Sequence, residues 1–316
     1  MQTDTLTLKA GAPGQRYCLR VLRFGAADAQ PKAYIQAALH ADELPALLVA
    51  QKLQQQLQAL EAQGQLHGRF DVRDGVNFNR EYADLAPLVA ARVAGQLGPD
   101  AKANTRLIRA ALRQETARLA ASTPTQDMKN RLLHLAADAD IVLDLHCDSV
   151  AAMHVYALSP QAEQAKQLGA LLGARAILIA SESGGSPFDE ACSRTWLQLQ
   201  QQFPQHPIAL DCFSTTVELR GETDLRHDWA QQDARALVDF MRLQGVLRGP
   251  LPAVPAALCE PTPWAASEPI TATTPGLVVF HHDIGAQVTA GEVVADVVDV
   301  ASGDVTPLRC QSSGVL

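Results

Sequence analysis

Apolar positions fall into short runs and helical stripes in alternating order along most of the chain. Residues 17–24, YCLRVLRF, and 33–39, AYIQAAL, are short, apolar and partly β-branched, and they predict strands. Residues 45–60, PALLVAQKLQQQLQAL, predict a helix, with Pro45 suited to its first turn and Leu47, Leu48, Leu53 and Leu57 close to one face. The stretch 87–121, rich in Ala, Leu, Arg and Gln, predicts two helices, and 125–139 a third. Then DIVLDLH (140–146), MHVYAL (153–158) and ARAILIA (174–180) predict strands, with a helix over 161–172. After a helix around 190–202, PIALDCF (207–213) and STTVELRG (214–221) predict two further strands. A long amphipathic helix is expected over 227–246.

Strands alternating with helices predict an α/β fold, with a mixed, mostly parallel sheet flanked by helices. The texture changes after Val246. RGPLPAVPAALCEPTP is Pro-rich, and from Glu268 onward short β segments are punctuated by Gly276, Gly285, Gly291 and Gly303. An α/β domain over 1–249 and a small all-β module over 250–316 are therefore expected.

Composition narrows the class. The chain has 316 residues, 47% of them hydrophobic, which is enough for a sizeable core. A net charge of -8 offers no basic surface for nucleic acid. No apolar run is long enough to span a membrane, and the N-terminal stretch lacks a basic start followed by an apolar segment, so neither a membrane span nor a secretory signal is expected. The six cysteines, at 18, 147, 192, 212, 259 and 310, form no CxxC pair and read as reduced thiols of a cytoplasmic protein. Cys147 reads as a buried structural residue, and His281-His282 as part of a turn. A homo-oligomer is compatible with the sequence.

The chemistry begins at AALHADELPALL, 37–48, where His40 and Glu43 stand between a predicted strand and a predicted helix. A pair with this spacing often marks nothing more than a polar helix start. Hydrolytic zinc sites, however, use three protein ligands and leave a position open for water. His146 ends the strand DIVLDLH, where open α/β sheets place their sites, and Asp144 shares its face and could orient its imidazole. Joined to His40 and Glu43, it favours a metal site. Glu218 lies inside the apolar strand STTVELRG, where a carboxylate is costly unless paired or functional, and it is the candidate general base and acid. In GRFDVRDGVNFNREY, 68–82, Arg80 is the candidate clamp for a substrate carboxylate, and Arg69 or Arg73 could face a developing oxyanion.

This ordered set, with NFNR, LDLHCD, GGSPFDEAC and TVELRGETD, resembles the succinylglutamate desuccinylase/aspartoacylase family of the zinc carboxypeptidase superfamily, and within it the bacterial N-acyl diamino-acid deacetylase-like members. The resemblance implies a carboxypeptidase-like fold with one zinc ion per chain on His40, Glu43 and His146. It implies Glu218 as general base and acid, Asn79 and Arg80 on the substrate carboxylate, and Arg69 as the oxyanion partner. It makes SESGGSPFDEAC, 181–192, a loop bordering the substrate pocket, and the C-terminal module similar to a biotinyl/lipoyl-like β-barrel. The activity implied is zinc-dependent removal of an acyl group from an N-acylated amino acid or related small amide. Two alternatives stay open: a metallocarboxypeptidase acting on small peptides, and a metal- or ligand-binding module without catalysis. Glu218 speaks against the last, since a pure binder needs no base.

Overall fold

The computed structural model describes residues 2–9, 18–23, 32–37, 39–40, 43–57 and 76–316. Arg69, Arg73 and the end of the helix expected over 45–60 lie outside the described residues.

The chain opens with strands β1 (Gln2–Thr7) and β2 (Cys18–Arg23), which pair antiparallel as a two-stranded sheet. β1 was not expected from the sequence, although its Thr-rich alternation with Leu6 suits a strand. Then come β3 (Ala33–Ala37), α1 (Leu44–Leu57), α2 (Ala86–Val93), α3 (Ala101–Thr116) and α4 (Pro124–Ala136). Side-chain caps fix two of these starts: Asp100 accepts the Lys102 N–H ahead of α3, and Thr123 accepts the Gln126 N–H ahead of α4. The remaining α/β elements are β4 (Ile141–Asp148), β5 (His154–Leu158), α5 (Ala162–Leu172), β6 (Ala176–Ala180), α6 (Phe188–Gln202), β7 (Phe213–Gly221), α7 (His227–Leu243) and β8 (Pro261–Pro263).

Six of these strands form one sheet in the order β3-β4-β7-β5-β6-β8. All neighbours are parallel except β5 and β7. The sheet is thus mixed and mostly parallel, with helices on both faces. Alternate residues of the strands point to opposite faces. One face buries Leu143, Leu145, Val155, Ile177, Val217 and Leu219 against α1, α5 and α7. On the other, Val142 joins a second core with Phe188, Trp196 and Leu199 of α6 and with α2, α3 and α4.

The strand expected over PIALDCF is not formed; pairing begins only at Phe213. Ile208 and Cys212 are buried in the second core, which accounts for the apolar pattern. Their carbonyls accept from Gln200 Nε2 (2.9 Å) and Gln161 Nε2 (2.7 Å) respectively, so side chains replace a ladder here.

From residue 250 the chain first adds β8 to the edge of the main sheet, beside β6. Short antiparallel strands follow: β9 (Leu277–Phe280), β10 (Gln287–Val288), β11 (Val293–Val298), β12 (Val305–Arg309) and β13 (Gly314–Val315). They form a three-stranded sheet, β12-β11-β9, and a two-stranded one, β10-β13. This is the small all-β part expected at the C-terminus. His281 and His282 pair with Asp296 (2.8 Å) and Glu292 (3.1 Å), in ordinary side-chain contacts beside a turn. No helix among the described residues is long and apolar enough to cross a membrane.

Candidate active site

Three elements bring the polar residues together. His40 follows β3, Glu43 precedes α1, and His146 lies near the C-terminal end of β4, which is the parallel neighbour of β3. All three side chains are buried. One ligand atom from each lies within 4.8 Å of the others, a grouping that could hold a metal ion. The Glu43 carboxylate bridges the two imidazoles, with His40 Nδ1 2.6 Å from Oε1 and His146 Nδ1 2.7 Å from Oε2. Two imidazoles and one carboxylate are a donor set that hydrolytic zinc sites use.

Behind His146 stands the support its placement needs. Asp144, fully buried on the same face of β4, has Oδ2 3.1 Å from His146 Nε2. Gln36 on β3 donates to Asp144 Oδ1 at 2.7 Å, and Tyr34 donates to Gln36 at 3.0 Å. A carboxylate behind a ligand imidazole fixes its ring and tautomer. The electrostatics follow from this crowding. Burial opposes the charged imidazole of His146, but Asp144 and Glu43 outweigh it and hold its pKa well above the usual histidine value. Burial also acts against the Glu43 carboxylate, yet its bonds from His146 and His40 bring it down to about 2.

Glu218 sits on β7, directly across the ladder from His146 and, on the other side, from His154 of β5. Its Oε2 is buried without a hydrogen-bond partner. Burial first, and then the repulsion of Glu43, Asp148 and Asp144, push its pKa up to about 7. A carboxyl group that changes charge near neutrality, one register position from a potential metal site, is equipped to take and return protons.

Asn79 and Arg80 both line the cavity over these residues. The Arg80 side chain is exposed, and its Nη1 donates to the Asn79 carbonyl at 2.7 Å. Asn79, expected on a substrate carboxylate, is buried. Its Nδ2 lies 3.0 Å from His146 Nε2, and its Oδ1 accepts the Phe188 N–H at 2.9 Å, at the start of α6. The segment 183–187 holds the pair in place. Glu81 and Tyr82 N–H groups donate to the Gly185 and Ser186 carbonyls at 2.7 and 3.0 Å. Gly185 has φ +72°, and a Cβ there would stand 2.9 Å from Arg80 Cδ, so only glycine fits beneath that stem. Glu81 (φ 61°) and Ser186 (φ 48°) adopt the same left-handed region on either side of the contact. Such strain is found where a functional geometry is imposed by its surroundings.

The cavity measures about 220 Å³ and opens over His40, Glu43, His146, Glu218 and Arg80. Ser183, Pro187, Asp189 and Glu190 border it, as expected of the 181–192 loop. Burial, then Asp144 and Glu190, raise the Asp189 pKa to about 7. Cys147 is buried, as expected, and contributes to the lining. Tyr156 and Trp264 were not foreseen. Tyr156 lies within the apolar run MHVYAL, where its polar tip gives the one available signal; burial, Glu218 and Asp148 push its pKa up to about 12. Trp264 directly follows the Pro-rich stretch, and nothing local marks it.

No protein-family model matches the sequence. No curated protein matches it either. Solved structures do. A succinylglutamate desuccinylase/aspartoacylase family protein from Shewanella amazonensis SB2B is similar with 23% identity and a TM-score of 0.84, over 100% of this chain and 93% of that one. One described in the same terms from Shewanella frigidimarina NCIMB 400 gives 22% identity and 0.83, over 99% and 91%. The product-bound ectoine utilization protein EutE (DoeB) from Ruegeria pomeroyi gives 16% identity and 0.60, over 100% and 88%. The chain therefore has the fold of succinylglutamate desuccinylase/aspartoacylase family structures along its whole length.

Proposed function

We propose that this chain is a zinc-dependent amidohydrolase of the succinylglutamate desuccinylase/aspartoacylase family, one that removes the acyl group from an N-acylated amino acid. The observation that carries the reading is Glu218, whose Oε2 is buried without a hydrogen-bond partner, across the ladder from His146 of the His40, Glu43 and His146 cluster. The shared fold supports it.

His40, Glu43 and His146 would hold the ion, one per chain. When bound, zinc supplies Lewis acidity at the acyl carbonyl and acidifies water. Asp144 keeps the His146 ring in register for that task. Glu218 accepts a proton from water and delivers it to the leaving amine nitrogen; a pKa of about 7 lets one group do both near neutral pH. The Arg80 guanidinium pairs with the carboxylate beside the scissile amide, because its planar fork matches a carboxylate in two contacts. Asn79, which lines the same cavity, would assist Arg80 on that carboxylate, and it also steadies His146 and the start of α6. Arg69, or Arg73, would face the carbonyl oxygen as it gains charge. A cavity of about 220 Å³ favours a small amide over a peptide, which needs an open groove. We assign this chemistry to the portion 1–249, with 250–316 as a small β module whose first strand, β8, joins the main sheet, in a cytoplasmic protein.

The test is Glu218→Gln, assayed with restored zinc over a panel of N-acyl amino acids. The variant is expected to fold and to keep one zinc per chain while kcat falls by about 10²–10⁴, the usual cost of losing acid–base catalysis. Loss of zinc as well would make Glu218 a ligand and overturn the roles. Absence of turnover by the zinc-loaded wild type across the panel would overturn the reading itself.

A further inference from the structure

The cavity has two unlike sides. Asp144, Thr216, Tyr156 and Leu178 are successive ladder partners across β4, β7, β5 and β6, so they form one row on one face of the sheet. The row is acidic and hydroxylic under the His-Glu-His cluster and becomes aromatic and then aliphatic away from it. Trp264, which directly follows β8, extends the row on the far side. Its ring is 5.3 Å from that of Tyr156, centroid to centroid, and tilted by 48°. Trp264 is 39% exposed, so a large aromatic surface stays open at the cavity instead of being buried in a core.

Charge at the same cavity points the same way. Asp148, Glu190 and Glu218 line it, and among the described lining residues Arg80 supplies the only guanidinium or ammonium group. If Arg80 holds the carboxylate beside the amide, and Arg69 or Arg73 the carbonyl oxygen, a second substrate carboxylate is left among the acids of this lining. Desolvating an unpaired carboxylate is costly, whereas an apolar group gains by leaving water for the face of an aromatic ring.

We infer that Tyr156, Leu178 and Trp264 form a subsite for an apolar group of the substrate, so that the enzyme selects N-acyl amino acids bearing a hydrophobic acyl chain or side chain over dicarboxylic ones. This rests on the deacylase reading above for the position of the amide and of Arg80. The subsite is assembled from both parts of the chain, since β5 and β6 belong to the α/β portion and Trp264 comes from beyond residue 250. A hydrocarbon group lying against Tyr156 and Leu178 would be covered by the Trp264 ring, and shortening that ring would uncover it.

The experiment uses zinc-loaded full-length protein and four substrates: N-acetyl-alanine, N-acetyl-phenylalanine, N-hexanoyl-alanine and N-acetyl-aspartate. The second and third separate an apolar side chain from an apolar acyl chain. At least one of them should exceed both N-acetyl-alanine and N-acetyl-aspartate in kcat/KM by about tenfold or more, the scale on which an apolar pocket discriminates. In Trp264→Ala, and independently in Leu178→Ala, that preference should shrink by about tenfold. Calorimetric binding of the same four compounds to Glu218→Gln, with and without Trp264→Ala, should repeat the ranking without turnover. A wild type that favours N-acetyl-aspartate overturns the subsite and leaves the deacylase reading intact. So does a Trp264→Ala variant that weakens all four compounds equally. If the wild type hydrolyses none of the four but the binding preference is present and depends on Trp264, the deacylase reading falls and the apolar subsite stands.

Discussion

The two faces of the six-stranded sheet are made by the same strands and do opposite work. On β4, Leu143 and Leu145 enter the apolar core under α1, α5 and α7, while Asp144 and His146 enter the cavity side. On β7, Val217 and Leu219 do the first, and Thr216 and Glu218 the second. Both faces are dry: Leu145 and Asp144 are equally inaccessible. The apolar face is stabilised by leaving water, whereas every polar group on the other face must find a partner or a purpose. Most find partners within the chain. Glu218 Oε2 is among the buried atoms that do not, and it is the one that stands across the ladder from His146.

Neighbouring residues of one strand break the comparison most sharply. His146→Ala should remove zinc from the protein, and with it activity, because a three-ligand site loses a ligand and Asp144 and Glu43 lose the imidazole between them. Leu145→Ala should keep zinc and activity at low temperature but lower stability by about 2–5 kcal/mol, the usual cost of such a cavity. Elemental analysis and denaturant unfolding of the two variants read both effects. Stoichiometric zinc in His146→Ala would remove the site from consideration.

A smaller effect sharpens the contrast on the cavity side alone. Arg80 has an exposed side chain, so its charge serves little in the fold. Arg80→Ala should leave the unfolding midpoint nearly unchanged and lower kcat/KM for a carboxylate substrate by roughly 30-fold or more, from a truncation cost of about 2–5 kcal/mol. Amidating the substrate carboxylate should harm the wild type by a similar factor and the variant much less. Equal preference for the acid in both enzymes would move the clamp to another residue.

Much of this was legible in the sequence. Short apolar runs located β4 and β7, and the place of DLH at the end of one of them joins His146 to His40 and Glu43. Glu218 stood out because an acid inside VEL has to be accounted for. The illegible parts share a cause, which is that they depend on which segments meet. PIALDCF carries a strand's composition, yet its carbonyls are satisfied by glutamines from α6 and from the turn before α5. The bonds of Asn79 to His146 and to the start of α6 join segments far apart in the chain, and nothing local announces them. Trp264 reached the cavity only because β8 adds to the sheet edge next to β6.

The smallest expected effect concerns the wall facing the polar side of the sheet. Asp189, in the first turn of α6, is buried, and burial with the nearby Asp144 and Glu190 raises its pKa to about 7. In the unfolded chain an aspartate titrates near ~4. Between these values the folded state holds a proton that the unfolded state has released. Stability contributed by the neutral form is therefore fully present below about pH 4, declines as pH rises, and is lost once pH passes about 7. The slope is at most about 1.4 kcal/mol per pH unit for one proton. Asp189→Asn keeps the shape and removes the proton equilibrium. Metal-free wild type should lose about 1 kcal/mol per unit between pH 5 and pH 7 relative to the variant, and the two curves should run parallel above about pH 7.5. Urea unfolding of both proteins across that range measures it. Parallel curves throughout would mean that Asp189 is already ionised in the folded protein, and that the wall facing His146 and Glu218 carries a full negative charge at neutral pH.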